Sequence, residues 1–163
     1  MKKLIAAAAL LGLTALAAPA FAEGERWPAV DHEATKTECS ACHIAFQPQM
    51  LPARSWEALM GGLDNHFGEN ASLDPKVADD IKAYLVANAA DAKGVKSRWT
   101  RGLTAKDTPL RISETPRFQR AHHEVSAATF QRKEIGSAAN CAACHKEAVQ
   151  GLYLEPGEGG EDD

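Results

Sequence analysis

Apolar positions are grouped in short blocks, with polar, Gly- and Pro-marked stretches between them. From Leu4 to Ala18 nearly every residue is apolar, behind the basic pair Lys2-Lys3 and ahead of the small-x-small run Ala20-Phe21-Ala22. That order predicts a cleaved secretory signal peptide over residues 1–22. Beyond it the apolar spacing is helical. Trp56, Leu59, Met60 and Leu63 fall on one face. Asp74-Pro75 gives a capping residue followed by proline at the first helical position. Val77, Ile81, Tyr84, Leu85 and Asn88 then continue a stripe to about Ala90, short of Gly94. Thr115-Pro116 repeats the start signal, and Phe118, His122 and Val125 follow at i, i+4 and i+7. Lys146–Val149 predicts a short helix ended by Gly151. No stretch alternates as a strand does. The expected fold is mostly α, with long loops.

The chain has 163 residues and a net charge of −4. An exported, mildly acidic product is not a nucleic-acid binder. No second apolar run approaches the ~20 residues of a spanning helix, so the mature protein is expected to be soluble. Charge is unevenly placed. In residues 93–111, Lys93, Lys96, Arg98, Arg101, Lys106 and Arg111 are opposed only by Asp107. This segment reads as the connection between two halves, residues 23–95 and 96–154. Its arginines are suited to pairing with carboxylates. EPGEGGEDD at residues 155–163 reads as a disordered acidic tail.

All four cysteines lie in two copies of one pattern, CSACH at 39–43 and CAACH at 141–145. An even cysteine count in an exported chain suggests disulfides, but Cys-x-x-Cys followed at once by His is the attachment motif of c-type haem. Cys39 with Cys42, and Cys141 with Cys144, each supply two thiols for the two vinyl groups of a haem. His43 and His145 then stand beneath the irons as proximal ligands. Zinc uses similar ligands but has no reason to repeat His directly after the second Cys. A thioredoxin-type pair needs a βαβ context that is missing. Two covalent haems are expected, each adding a large apolar surface to a small core.

A closed iron needs a second axial ligand. His66 lies 23 residues after His43, and His122 lies 23 residues before His145. His66 sits among Gly61, Gly62 and Gly68, which leave room for a flat macrocycle. His122 shares a helical face with Phe118, whereas His123 points about 100° away. The rivals are His123 at the second site, and Met50, Met60 and His32 at the first. Met60 on an apolar face is more often packing than ligand, and His32 stands close to Cys39.

The segments ECSACHIAFQPQMLPARSWEALMGGLDNHFGENASLD, RISETPRFQRAHHEV and IGSAANCAACHKEAVQGLY together resemble the DHC-type periplasmic dihaem cytochrome c family. The resemblance spans nearly the whole mature chain. It implies electron transfer through two bis-histidine haems. It also implies a membrane b-type cytochrome as donor and a small oxygen-binding monohaem c-type cytochrome as acceptor. His66 matches the His-Phe-Gly ligand of that family, and His122 the first His before Glu124. Relatives carry a single His where this chain has His122-His123.

The expectation is therefore a periplasmic electron carrier with low-spin haems and no small-molecule substrate. An alternative is a dihaem enzyme or gas binder with one open iron, which needs acid–base groups beside it. The supply of spare histidines and the short chain argue against that. A third is the small dihaem subunit of a periplasmic oxidoreductase, which differs only in partner.

Overall fold

The structure, a computed structural model, describes residues 25–154. The signal peptide expected over residues 1–22 and the tail expected over 155–163 lie outside the described residues.

Five α-helices carry the described chain: α1 (Glu33–Cys39), α2 (Ala53–Met60), α3 (Pro75–Ala87), α4 (Pro116–Ala121) and α5 (Ala127–Phe130). Single 3₁₀ turns join them at Pro48–Met50, Leu63–Asn65, Ile112–Glu114, Cys141–Ala143 and Ala148–Gln150. The fold is mostly α, as the apolar spacing predicts.

Local chemistry explains the main starts and stops. Asp74 accepts from the Lys76 N–H, and Pro75 opens α3. The helix ends at Ala87, short of the expected Ala90. Asn88 leaves helical geometry, and its side chain donates to the Tyr84 carbonyl (2.8 Å). Two residues on, the Ala90 N–H donates to Leu51 instead (2.9 Å). Thr115 accepts from the Phe118 N–H at the start of α4. That helix stops at Ala121, so His122 is its C-cap and Val125 leaves the expected apolar face for an exposed position. Gly151, with φ +80°, ends the turn Ala148–Gln150 as expected.

Two apolar clusters organise the interior. In the first, α2 packs on α3 through Leu51, Trp56, Ile81, Leu85 and Ala89. Each large side chain buried there contributes about 1.5–3 kcal/mol. The Trp56 indole N–H donates to the Pro48 carbonyl (2.8 Å), so its polar edge is satisfied inside the cluster. The second cluster gathers Met50, Ala90, Trp99 and Phe118, with Trp27, Phe130 and Tyr153 at its margin. Ile112 packs against both.

The basic segment is pinned to α2. Arg54 donates from Nε to the Asp107 carbonyl (2.6 Å) and from Nη2 to the Thr104 carbonyl (2.9 Å). Asp91, 3.4 Å from Arg54 Nη1, also accepts from the Ala53 N–H at the first turn of α2 (2.8 Å).

A two-stranded antiparallel ladder, absent from the sequence expectation, joins β1 (Glu25–Arg26) to β2 (Leu152–Tyr153). The Trp27 N–H extends the contact to the Gly151 carbonyl (2.8 Å). Any Cβ at Gly151 would collide with the Trp27 carbonyl. Gln47 donates to the Ala148 carbonyl (3.0 Å) and accepts from the Tyr153 hydroxyl (2.5 Å). The first and last described segments are therefore laced together by backbone and side chain.

Candidate functional site

The four histidines singled out by motif and spacing meet in two pairs. The His43 and His66 ring centroids are 6.2 Å apart, and those of His122 and His145 are 6.0 Å apart. Metal–nitrogen bonds of about 2.0–2.1 Å on opposite sides of one ion place two imidazole centroids about 6 Å apart. Both pairs therefore fit a single iron between them.

Three of the four rings are held by their other nitrogen. His43 Nδ1 donates to the Ile44 carbonyl (2.7 Å), His122 Nδ1 to the Phe118 carbonyl (3.0 Å) and His145 Nδ1 to the Leu154 carbonyl (2.8 Å). A carbonyl on Nδ1 fixes the tautomer in which Nε2 is the ligating atom and raises its basicity. Phe46 stacks on His43 (4.7 Å) and Phe118 on His122 (4.0 Å), while Tyr153 meets His145 edge-on (5.5 Å). These carbonyls and rings were not singled out from the sequence. Phe118 had a signal in its i, i+4 spacing to His122, whereas Ile44 and Leu154 act through backbone atoms that every residue has.

His66 is positioned by a tight turn. Its backbone pairs with Glu69 (2.7 and 3.2 Å), and the two residues between, Phe67 and Gly68, have φ of +59° and +103°. Positive φ at both central positions is the type I′ arrangement. Gly68 adopts it freely, but Phe67 is strained there, a cost of order 1–3 kcal/mol. Burial first, then the fields of His43 and Arg111, push the His66 pKa below the ordinary histidine value. A neutral ring is the form that binds metal.

A cavity of about 430 Å³ opens beside His66, lined also by Leu59, Gly62, Phe67, Leu110 and Arg111. The Arg111 guanidinium lies 3.8 Å over the Phe67 ring. A second cavity of about 290 Å³ opens beside His122, lined also by Glu114, Phe118, Val125 and Phe130. Both walls mix apolar with polar side chains, the first including Asn65 and Arg111 and the second Ser113, Glu114 and Gln119. The Trp27 indole N–H, at the margin of the second cluster, is buried with no partner.

The rivals are engaged elsewhere. His32 caps α1, accepting at Nδ1 from the Thr35 N–H, while its Nε2 lies 3.2 Å from Asp80 and its ring stacks on Tyr84. His123 is exposed, with Nδ1 on the Arg120 carbonyl and Nε2 3.8 Å from Glu124. Met50 is buried in the second cluster, and Met60 packs against the first.

Cys39 ends α1, and Cys42 follows in the next turn. Cys141 opens a 3₁₀ turn, with Cys144 as its C-cap and the His145 N–H donating to the Cys141 carbonyl (2.8 Å). No disulfide joins any of the four. Burial pushes the Cys39 pKa up, and it pushes Cys141 up to about 11. A thioredoxin-like redox pair needs the opposite shift. Among the described residues no cluster of three or more His, Cys, Asp or Glu is placed to hold a metal ion, so these sites do not have a zinc donor set. Two facing imidazoles suffice only where the remaining ligands come from a macrocycle.

The family model for dihaem cytochrome c, DHC, matches residues 35–153. The chain belongs to the dihaem cytochrome c family. This dihaem cytochrome carries two covalently bound haem c groups, with one Cys-x-x-Cys-His motif for each. It is similar to a solved diheme cytochrome c from Rhodobacter sphaeroides, with 52% identity and a TM-score of 0.72 over 78% of this chain and 100% of that one. A crystal structure of DHC purified from Rhodobacter sphaeroides is 49% identical with a TM-score of 0.65, over 77% and 99%. The diheme cytochrome type c from Shewanella baltica OS155, sb-DHC, is 35% identical with a TM-score of 0.61, over 74% and 85%. Among curated proteins, none matches the chain. Membership implies an electron-transfer cytochrome.

Proposed function

We propose that the chain is a periplasmic electron carrier with two closed, bis-histidine, low-spin haem sites. His43 and His66 hold one iron, and His145 and His122 the other. Cys39 and Cys42 attach the first group, and Cys141 and Cys144 the second. The observation that carries this reading is the matched spacing of the ring pairs, 6.2 and 6.0 Å.

Haem iron supplies a one-electron couple. The chain's part is to hold the ligands still while charge changes. Nδ1–carbonyl bonds on His43, His122 and His145 fix ring orientation. Phe46 and Phe118, stacked on their histidines, restrict tilt. Nitrogen ligands on both faces, in place of a thioether, keep both potentials low. No acid–base group is required, because no substrate bond is made or broken. In the relay proposed, a membrane b-type cytochrome is the donor and a small monohaem c-type cytochrome the acceptor.

Electron paramagnetic resonance of the oxidised holoprotein tests the ligation. Two low-spin signals are expected, and reduced protein is expected not to bind carbon monoxide. His66→Ala and His122→Ala are each expected to turn one haem high-spin and open to carbon monoxide, while His123→Ala leaves the spectrum unchanged. An unaltered spectrum in His66→Ala overturns the first assignment. A high-spin haem in His123→Ala overturns the second.

A further inference from the structure

The cavities beside His66 and His122 share one wall. Arg111 lines the cavity beside His66, while Ser113 and Glu114 line the cavity beside His122. Ile112, between them, packs into both apolar clusters. Histidines aside, Arg111 is the charged side chain on the first cavity and Glu114 the charged side chain on the second. Arg111 Nε lies 3.5 Å from Glu114 Oε1.

The wall is held firmly. The Glu114 N–H donates to the Arg111 carbonyl (3.0 Å). Thr115, fully buried, donates to the Ile112 carbonyl from its N–H (3.1 Å) and its hydroxyl (2.7 Å). Gln119 donates to the Ser113 carbonyl (2.6 Å). A cation and an anion thus pair across one short turn, the cation lining the cavity beside His66 and the anion the cavity beside His122.

We propose that this pair makes the two haems unequal and sets where the first electron rests. The inference rests on the ligation proposed above. Reduction adds one negative charge to a site. Arg111 stabilises that charge in the His43–His66 site, and Glu114 opposes it in the His122–His145 site. When an electron passes between the sites, one iron is oxidised as the other is reduced, and no bond forms or breaks. Arg111 and Glu114 therefore bias the exchange toward the first site. Both side chains are about half exposed, so solvent and salt screen the bias without removing it.

The test is a potentiometric titration of the holoprotein, with paramagnetic resonance on the same samples. Each redox step is assigned by its change in His66→Ala or His122→Ala. Arg111→Gln is expected to weaken reduction of the first site by about three- to tenfold, where tenfold is about 59 mV for one electron. Glu114→Gln is expected to strengthen reduction of the second. The spacing between steps narrows in each variant, narrows most in the double variant, and is kept in Arg111→Lys. Raised salt narrows the wild-type spacing. Unmoved steps, or a wider spacing, with both haems still low-spin overturn the proposal alone. A wild-type haem that is already high-spin overturns the ligation and this proposal together.

Discussion

The two halves of the molecule each bring two histidine rings to a centroid separation near 6 Å, but by different means. Around His43 and His66 the chain builds a helical scaffold first. α3 is thirteen residues long and packs on the eight-residue α2. Around His122 and His145 there is little scaffold. α4 and α5 have six and four residues, and the Cys-x-x-Cys-His segment is a 3₁₀ turn. Two of the buried side chains beside Phe118 and Trp99, Met50 and Ala90, come from the first half. The comparison teaches that a matched ring separation does not require equal independence, nor the same ring orientation: the interplanar angle is 25° in the first pair and 88° in the second. The first site has its own core, whereas the second borrows from the first.

Removing one covalent haem is expected to expose this difference most strongly. Cys141→Ala with Cys144→Ala leaves short helices and turns without their main apolar partner. Amide hydrogen exchange is expected to show lost protection across residues 116–154, with α2 and α3 still protected. Cys39→Ala with Cys42→Ala is expected to leave the α2–α3 pair protected. Equal loss in both variants would break the comparison. A smaller effect comes from truncating the first core. Ile81→Ala removes a fully buried side chain and is expected to cost about 2–5 kcal/mol in denaturant unfolding. Because the second cluster leans on the first, both halves are expected to unfold in the same transition.

The smallest expected effect is at the connecting segment. The Asp107 carboxyl is held below the usual carboxylate range, first by the Thr104 backbone N–H (2.6 Å), then by the Thr104 side chain, with Arg54 adding to this. A depressed pKa stabilises the fold above the ordinary carboxylate value. That contribution is lost as pH falls through the native value. The protection of the Thr104 amide, relative to its unfolded exchange rate at the same pH, is expected to fall in acid below about pH 4, and Asp107→Asn to remove that dependence without touching either haem spectrum.

Much of this was legible in the sequence because the signals were local. Asp74-Pro75 and Thr115-Pro116 each start a helix where expected, since capping and proline act within one turn. The doubled Cys-x-x-Cys-His motif announced the haems. The equal spacing of His66 and His122 from their motifs singled out the rings that the fold brings within about 6 Å of His43 and His145. What was not legible is long-range. The β1–β2 ladder is two residues wide and pairs opposite limits of the described chain, so no alternation reveals it. Arg54 reaches backbone carbonyls about fifty residues away, and carbonyls carry no sequence signature. Met50 looked like a ligand candidate in a Pro-rich loop. Its burial among Ala90, Trp99 and Phe118 depends on contacts that only the folded chain supplies.

The ladder between β1 and β2 also imposes a timetable. β1 stays unpaired until β2 has been made, because the two strands lie at opposite limits of the described chain and each is the other's partner. The same late segment carries Leu154, whose carbonyl holds His145, and Tyr153, which meets both His145 and Gln47. The segment that closes the ladder thus also holds the His145 ring. A chain whose second motif has not yet been made has no partner for its first strand, so the seam can close only after both motifs exist.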